Sequence, residues 1–196
     1  MVGDQQRPQG FDFTAAMRRL CIDICQRVDD LAHIDMSRVA VGFAQARKRT
    51  THGAYASLTP LRFPGGDLVQ SRRGREYTIQ RLFDSAGCEL LYILTFYLPR
   101  FQELPFDEKL VTVFHELWHV SPDFDGDIRR FHGRCFAHSG SQAHYDAHMA
   151  GLAKSWLALQ PPEDLYTFLQ WNFRDLADRH GPVFGTRYAR PKLIPR

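Results

Sequence analysis

The stretch from Val111 to Gly133, VTVFHELWHVSPDFDGDIRRFHG, decides how the rest of the chain is read. It contains His115-Glu116-Leu117-Trp118-His119, the pattern H-E-x-x-H. Residues four apart on an α-helix lie one above the other, so His115 and His119 can turn two imidazole nitrogens toward one point. Glu116 is rotated by about 100° from His115. It is therefore poorly placed as a third ligand but well placed to reach a water held there. Zinc suits such a site: it takes nitrogen ligands in a tetrahedron, leaves one position to water and lowers that water's pKa toward about 7. A neighbouring glutamate can then take the water's proton and hand it on to a leaving amine. Two core histidines bonded to nearby backbone would show the same letters. The metal reading is favoured by the mid-helix position and by the packed surround that Val111, Phe114, Leu117 and Trp118 offer. Further histidines also follow in the next thirty residues.

A catalytic zinc site needs one more protein ligand. Asp125 stands six residues after His119, the metzincin spacing, but Pro122 occupies the place where that turn needs glycine. Glu163 is the only glutamate downstream of Glu116, at the start of a distant segment. His132 follows a reversal that Asp125-Gly126 permits, and "DIRRF" leads the chain back toward the helix. His138, His144 and His148 form a further group, the last two again at i, i+4. The order of expectation puts His132 first. The acidic run Asp123 to Asp127 is no calcium loop, because Gly126 is out of place and Arg134 stands where the closing glutamate belongs. One of its aspartates can orient a ligand imidazole from behind. For the oxyanion of a transition state, donors are available in Tyr145, His138, His144 and Arg129.

Outward from the motif, "PFDEKL" begins its helix, with Asp107 as the expected cap and Glu108 to Val120 as its span. Upstream, apolar residues from Phe13 to Leu31 recur at helical spacing, which predicts a helix over 12–31. "SRVAVGFAQA" alternates and predicts a strand. A basic, Gly- and Pro-rich excursion follows, with one short strand near Ala54 to Leu58. "YTIQRLF" and "CELLYILTFYL" are two more strands joined by "DSAG", whose Gly87 suits a hairpin turn. After the motif, a helix starts from Ser139 or Ser141, and a last one spans "PPEDLYTFLQWNFRDLADRH" up to Gly181. Strands followed by segregated helices indicate an α+β fold, a small and mainly antiparallel sheet packed on the motif helix. The expected division is an unstructured start over 1–10, a domain over 11–160, and a C-terminal helix with a basic tail over 161–196.

Composition sets outer limits. The 196 residues are 44% hydrophobic and 24% charged, which fits one globular domain with extensions. The net charge of +3 is too small to mark a nucleic-acid binder, although "QARKRT", "SRRGRE" and "TRYARPKLIPR" cluster arginines that could touch phosphates. The polar start lacks the pattern of a secretory signal and no apolar run is long enough to span a bilayer, so a cytoplasmic protein is expected. Cys21, Cys25, Cys88 and Cys135 fit no zinc-finger spacing and are expected as free thiols.

"LAHIDMSRVAVGF", the basic segment and "LPFDEKLVTVFHELWHVSPDFDGDIRRFHG" together resemble the phage and archaeal metallopeptidase family, relatives of the SprT-like zincins. Members show H-E-L-x-H-I, a short loop with glycine and a basic stretch ending in histidine. These map onto His115, Glu116, His119, Gly126 and His132, and the likeness covers roughly residues 28–135. The resemblance implies a zincin-like fold, a zinc ion held by His115, His119 and His132, Glu116 as general base, and a protein or peptide substrate. SprT-like relatives that act on DNA-bound proteins carry DNA-binding parts; here there is no C-x-x-C pair for a zinc ribbon. The alternative expectation is a zinc-containing, non-catalytic binding or regulatory module, with nucleic acid as a partner through the arginine clusters. A closed fourth ligand such as His138 or His144 would mark that case.

Overall fold

The computed structural model describes residues 9–46, 53–130 and 142–196, the side chains of 142–145 excepted. The expected unstructured start, the "RKRT" part of the first arginine cluster, Ser139, Ser141 and Cys135 lie wholly or mostly outside these residues.

The chain enters through β1 (Phe11–Asp12) and α1 (Phe13–Arg27). Asp12 caps α1, its Oδ1 accepting from the Ala15 N–H at 2.9 Å. Phe13, Met17, Leu20 and Ile24 are all fully buried, as their spacing requires. The helix stops earlier than expected. Val28 turns extended and Asp29–Leu31 form only a 3-10 turn, which still buries Leu31.

The central sheet has the order β2 (Val39–Gln45), β8 (Tyr92–Leu98), β3 (Ala56–Pro60). β3 runs antiparallel to β8, but β2 runs parallel to it, so this sheet is mixed and not mainly antiparallel. β8, apolar nearly throughout, takes the middle, where both faces are covered. β4 (Val69–Arg72), β5 (Arg75–Ile79) and β10 (Leu193–Pro195) make a second, antiparallel sheet. "SRRGRE" is thus the β4–β5 hairpin, and part of the basic tail is its third strand. The expected strand "YTIQRLF" is divided. Ile79 ends β5, Gln80 donates to the Lys192 carbonyl, and Leu82–Phe83 (β6) pairs with Glu89–Leu90 (β7) across the expected turn. There Asp84 accepts from the Ala86 and Cys88 N–H groups, and Gly87 has φ 82°.

The motif helix, α2, spans Phe106–Trp118. Asp107 does not cap it: Pro105 takes the cap position without a side-chain bond, and Asp107 and Glu108 sit in the first turn against the positive end of the helix. α3 (Gln142–Ala158) packs on α2, and its buried Trp156 donates through Nε1 to Asp23 of α1 at 2.9 Å.

The expected single helix after Pro162 is broken. Two 3-10 turns, Glu163–Leu165 and Thr167–Gln170, precede α4 (Phe173–His180). The broken stretch is held from a place distant in sequence. The buried Lys109 ammonium donates to the Leu169 and Trp171 carbonyls at 2.9 and 2.7 Å, and Gln102 donates to those of Phe168 and Trp171. These bonds pin the backbone of 168–171 in its non-helical course. α4 restarts at Asn172, whose side chain accepts from the Asp175 N–H, and ends at Gly181. β9 (Val183–Phe184) then pairs with β1, and the tail lies along β2, the Phe43 N–H donating to Thr186. Gly42 allows that approach: a Cβ there would stand 2.9 Å from the Tyr188 ring.

Among the described residues no helix is long and apolar enough to cross a membrane. Cys21, Cys25 and Cys88 are free, and burial raises the Cys21 and Cys25 thiols, Cys25 to about 12.

Candidate functional site

The motif ends its helix instead of lying mid-helix: His115 is in the last turn of α2 and His119 is its C-cap, and their Nε2 atoms are 2.9 Å apart with the ring planes crossed at 81°. One ring donates and the other accepts. Two zinc–nitrogen bonds of about 2.05 Å would span this separation at an angle near 90°, and opening to the tetrahedral angle needs only a few tenths of an ångström. The donor pair therefore fits a single zinc ion. Among the described residues no third His, Cys, Asp or Glu completes a metal-holding group.

Glu116 lies beside the pair, 7% exposed. Burial pushes its carboxyl up to about 7, against the opposing effect of a hydrogen bond from the Leu58 N–H. α2 itself packs on β3. Tyr55 accepts from Tyr97 and Leu61 donates to Leu91, so odd-numbered residues of this segment direct their backbone groups at β8. Even-numbered ones, Ala56 and Leu58, face the other way. β3 is the outer strand of its sheet, and that outward edge is one wall of a groove of about 670 Å³. The opposite wall is α2, with His115, Glu116 and His119. The sheet edge beside the motif is thus that of β3, whereas "YTIQRLF" belongs to the other small sheets.

Beyond His119 the chain reverses as Gly126 was expected to allow, at φ 91°. Val120 and Ile128 form an antiparallel bridge, and the Arg129 N–H donates to the His119 carbonyl at 2.7 Å. The reversal is clamped from two sides. The Tyr92 hydroxyl accepts from Gly126 and donates to the Asp127 carbonyl. The Asp127 carboxylate accepts from the Gly65 N–H at 3.0 Å and from Arg130 Nε and Nη2 at 2.7 and 2.9 Å. Among the described residues Asp127 therefore holds the loop, and none of its partners there is an imidazole.

The other expected residues divide. Asp125 bonds the Asp127 N–H and packs on Gly66, and Glu163 is exposed in its 3-10 turn; neither lines the groove. Arg129 lies with its guanidinium 4.1 Å from the centre of the Trp118 ring and donates to the Trp118 carbonyl, while His148 meets that ring edge-on. His132 and His138, and the side chains of His144 and Tyr145, lie outside the described residues. The sequence reading missed Asp146, which lines the groove from α3. Its signal was present in "HYDAH", where the histidines and Tyr145 were weighed but the aspartate was not. It also missed His33, whose buried Nε2 has no partner among the described residues and whose ring burial and Arg129 push toward the neutral form.

No family model, curated protein or solved structure matches the chain.

Proposed function

We propose that the chain is a zincin-like, zinc-dependent metallopeptidase that hydrolyses peptide bonds in protein or peptide substrates. The observation that carries this is the convergence of two imidazole Nε2 atoms beside a buried carboxylate, in a groove walled by an outer sheet strand. His115 and His119 would hold the zinc. His132 is the third ligand of this reading, because Arg129 is bonded to the His119 carbonyl and three residues of chain reach at most about 11 Å. The bound ion supplies a water of lowered pKa and a polarised scissile carbonyl.

The chain's own residues do the rest. The outward Ala56 N–H and the Ala56 and Leu58 carbonyls offer main-chain partners to an extended substrate, which adds to the edge of β3. Glu116, kept in an apolar surround with its pKa near neutrality, accepts the water proton and returns it to the leaving nitrogen. The Leu58 N–H orients its carboxylate toward the strand on which the substrate lies.

Metal analysis beside a peptide-library cleavage assay tests this. About one zinc per chain is expected in the wild type and in Glu116→Gln, with loss in His115→Ala and His132→Ala. Cleavage is expected only in the wild type. A wild type that binds no zinc refutes the proposal; full zinc in His132→Ala refutes that ligand alone.

A further inference from the structure

The cations of the chain are spread unevenly. β4 ends at Arg72, β5 begins at Arg75, and these two are direct partners across the hairpin. Arg73 and Gly74 form the turn between them. On the other side of β5, the Arg196 N–H donates to the Glu76 carbonyl at 3.0 Å, next to Arg75. All three strands of the second sheet therefore bring an arginine to the same end, and Glu76 is the one carboxylate that β4, β5 and β10 carry. Arg72, Arg73, Arg75 and Arg196 are exposed. Among the described residues none of the four pairs with a carboxylate, whereas Arg62 and Arg81 share Glu89 and Arg130 holds Asp127. The tip is open: a Cβ on Gly74 would meet nothing within 4 Å.

Folding by itself does not account for this turn. Arg73 and Gly74 have φ 51° and 75°, the left-handed pair in which a two-residue hairpin turn favours Asn or Asp before glycine. Arginine is strained there. Like charges at Arg72 and Arg75, directly opposite each other, also oppose the pairing. Two local preferences are broken within four residues, and both breaches gather cations at one point, as at a place kept for a ligand.

The sheet end matches a polyanion in size as well as in charge. Strands about 4.8 Å apart set Arg72 and Arg196, on the two outer strands, about 10 Å apart. The major groove of B-form DNA is about 12 Å wide and admits a β-ribbon between its phosphate rims. The corresponding groove of duplex RNA is too narrow. The exposed apolar residues of β10, Leu193 and Ile194, stand behind Arg196, so the outermost surface is cationic alone, unlike one that enters lipid. We propose that this end of the β4–β5–β10 sheet docks double-stranded DNA, its arginines bonding phosphates across the major groove without reading a particular sequence. None of these residues lines the groove beside α2, so the inference goes beyond the hydrolase reading and does not rest on it.

The test is fluorescence anisotropy of a labelled DNA duplex of random sequence, about 20 base pairs long, titrated with the full chain over about 50–200 mM salt. Four phosphate contacts predict a slope of about −3.6 for log K against log salt. Arg72→Gln with Arg73→Gln and Arg75→Gln should flatten that slope by about 3. Arg73→Asn suits the turn and so keeps the fold, and it should flatten the slope by about 1. Arg19→Gln with Lys154→Gln and Arg174→Gln removes as much charge from exposed positions elsewhere and should leave the slope unchanged. No binding of the duplex by the wild type at low salt, or an equal loss in this second triple variant, overturns the inference. So does tighter binding of duplex RNA than of DNA, or binding of phosphatidylserine–phosphatidylcholine vesicles without binding of DNA.

Discussion

Asp127→Ala tests the link between the loop after α2 and the proposed zinc site. The wild-type carboxylate is 4% exposed and takes three hydrogen bonds, one from the Gly65 N–H and two from Arg130. Arg130 is 45% exposed along its side chain, so its ion pair is screened and contributes about 1 kcal/mol. Leaving the Gly65 N–H without its charged acceptor costs roughly 1–3 kcal/mol. Together the change should cost about 3 kcal/mol, and at roughly 2–4 °C per kcal/mol for a chain of this length the Tm falls by about 6–12 °C. Asp127→Asn keeps an acceptor for Gly65 and should lose only about 1 kcal/mol. The loop also sets the direction in which the chain leaves Arg129 for His132. Zinc affinity, measured by competition with a chromophoric chelator at a temperature where both proteins are folded, should therefore fall about 10- to 100-fold in Asp127→Ala. Thermal unfolding within about 1 kcal/mol of wild type would refute the clamp. Unchanged zinc affinity in a clearly destabilised variant would refute its connection to the third ligand.

Glu89 receives Arg81 at 2.6 and 2.8 Å and Arg62 at 2.6 Å, and these bonds, Arg81 first, bring its carboxyl down to about 2. A lowered carboxyl adds stability that is complete above its unfolded pKa near 4.5 and is lost as pH falls through about 2. With Arg81 half exposed, Glu89→Gln should cost about 2 kcal/mol at pH 7 and flatten the decline between pH 4.5 and 2, which urea unfolding across that range will show. Asn172→Ala removes the cap of α4 and should cost about 1 kcal/mol in the same assay. Gly42→Val drives a branched side chain into the Tyr188 ring and should cost about 1–3 kcal/mol, with faster amide exchange at Phe43, which donates to Thr186.

What the sequence revealed and what it hid follow one physical distinction. The α1 stripe, the β6–β7 turn and the two motif histidines each depend on partners within a few residues, so spacing alone exposed them. The non-helical stretch inside "PPEDLYTFLQWNFRDLADRH" is held by Lys109 and Gln102, about sixty residues upstream, whose side chains bond its carbonyls. No pattern inside that segment records this. The parallel pairing of β2 with β8 is hidden for the same reason, because alternation fixes a strand's faces but not its neighbour's direction.

The candidate site shows the distinction most plainly. His115, Glu116 and His119 lie within one helical turn and a half, and their roles could be assigned from geometry that any helix supplies. The groove beside them cannot be read that way. Its far wall, Ala56–Pro60, sits in a Gly- and Pro-rich segment whose five strand residues give only a faint alternation. α2 itself packs on it. Asp146 comes from a third element, α3, and gains meaning only once α2 and β3 define the space it borders. The proposed chemistry is thus written in a local spacing of four, whereas the groove is a property of three segments that the fold alone brings together.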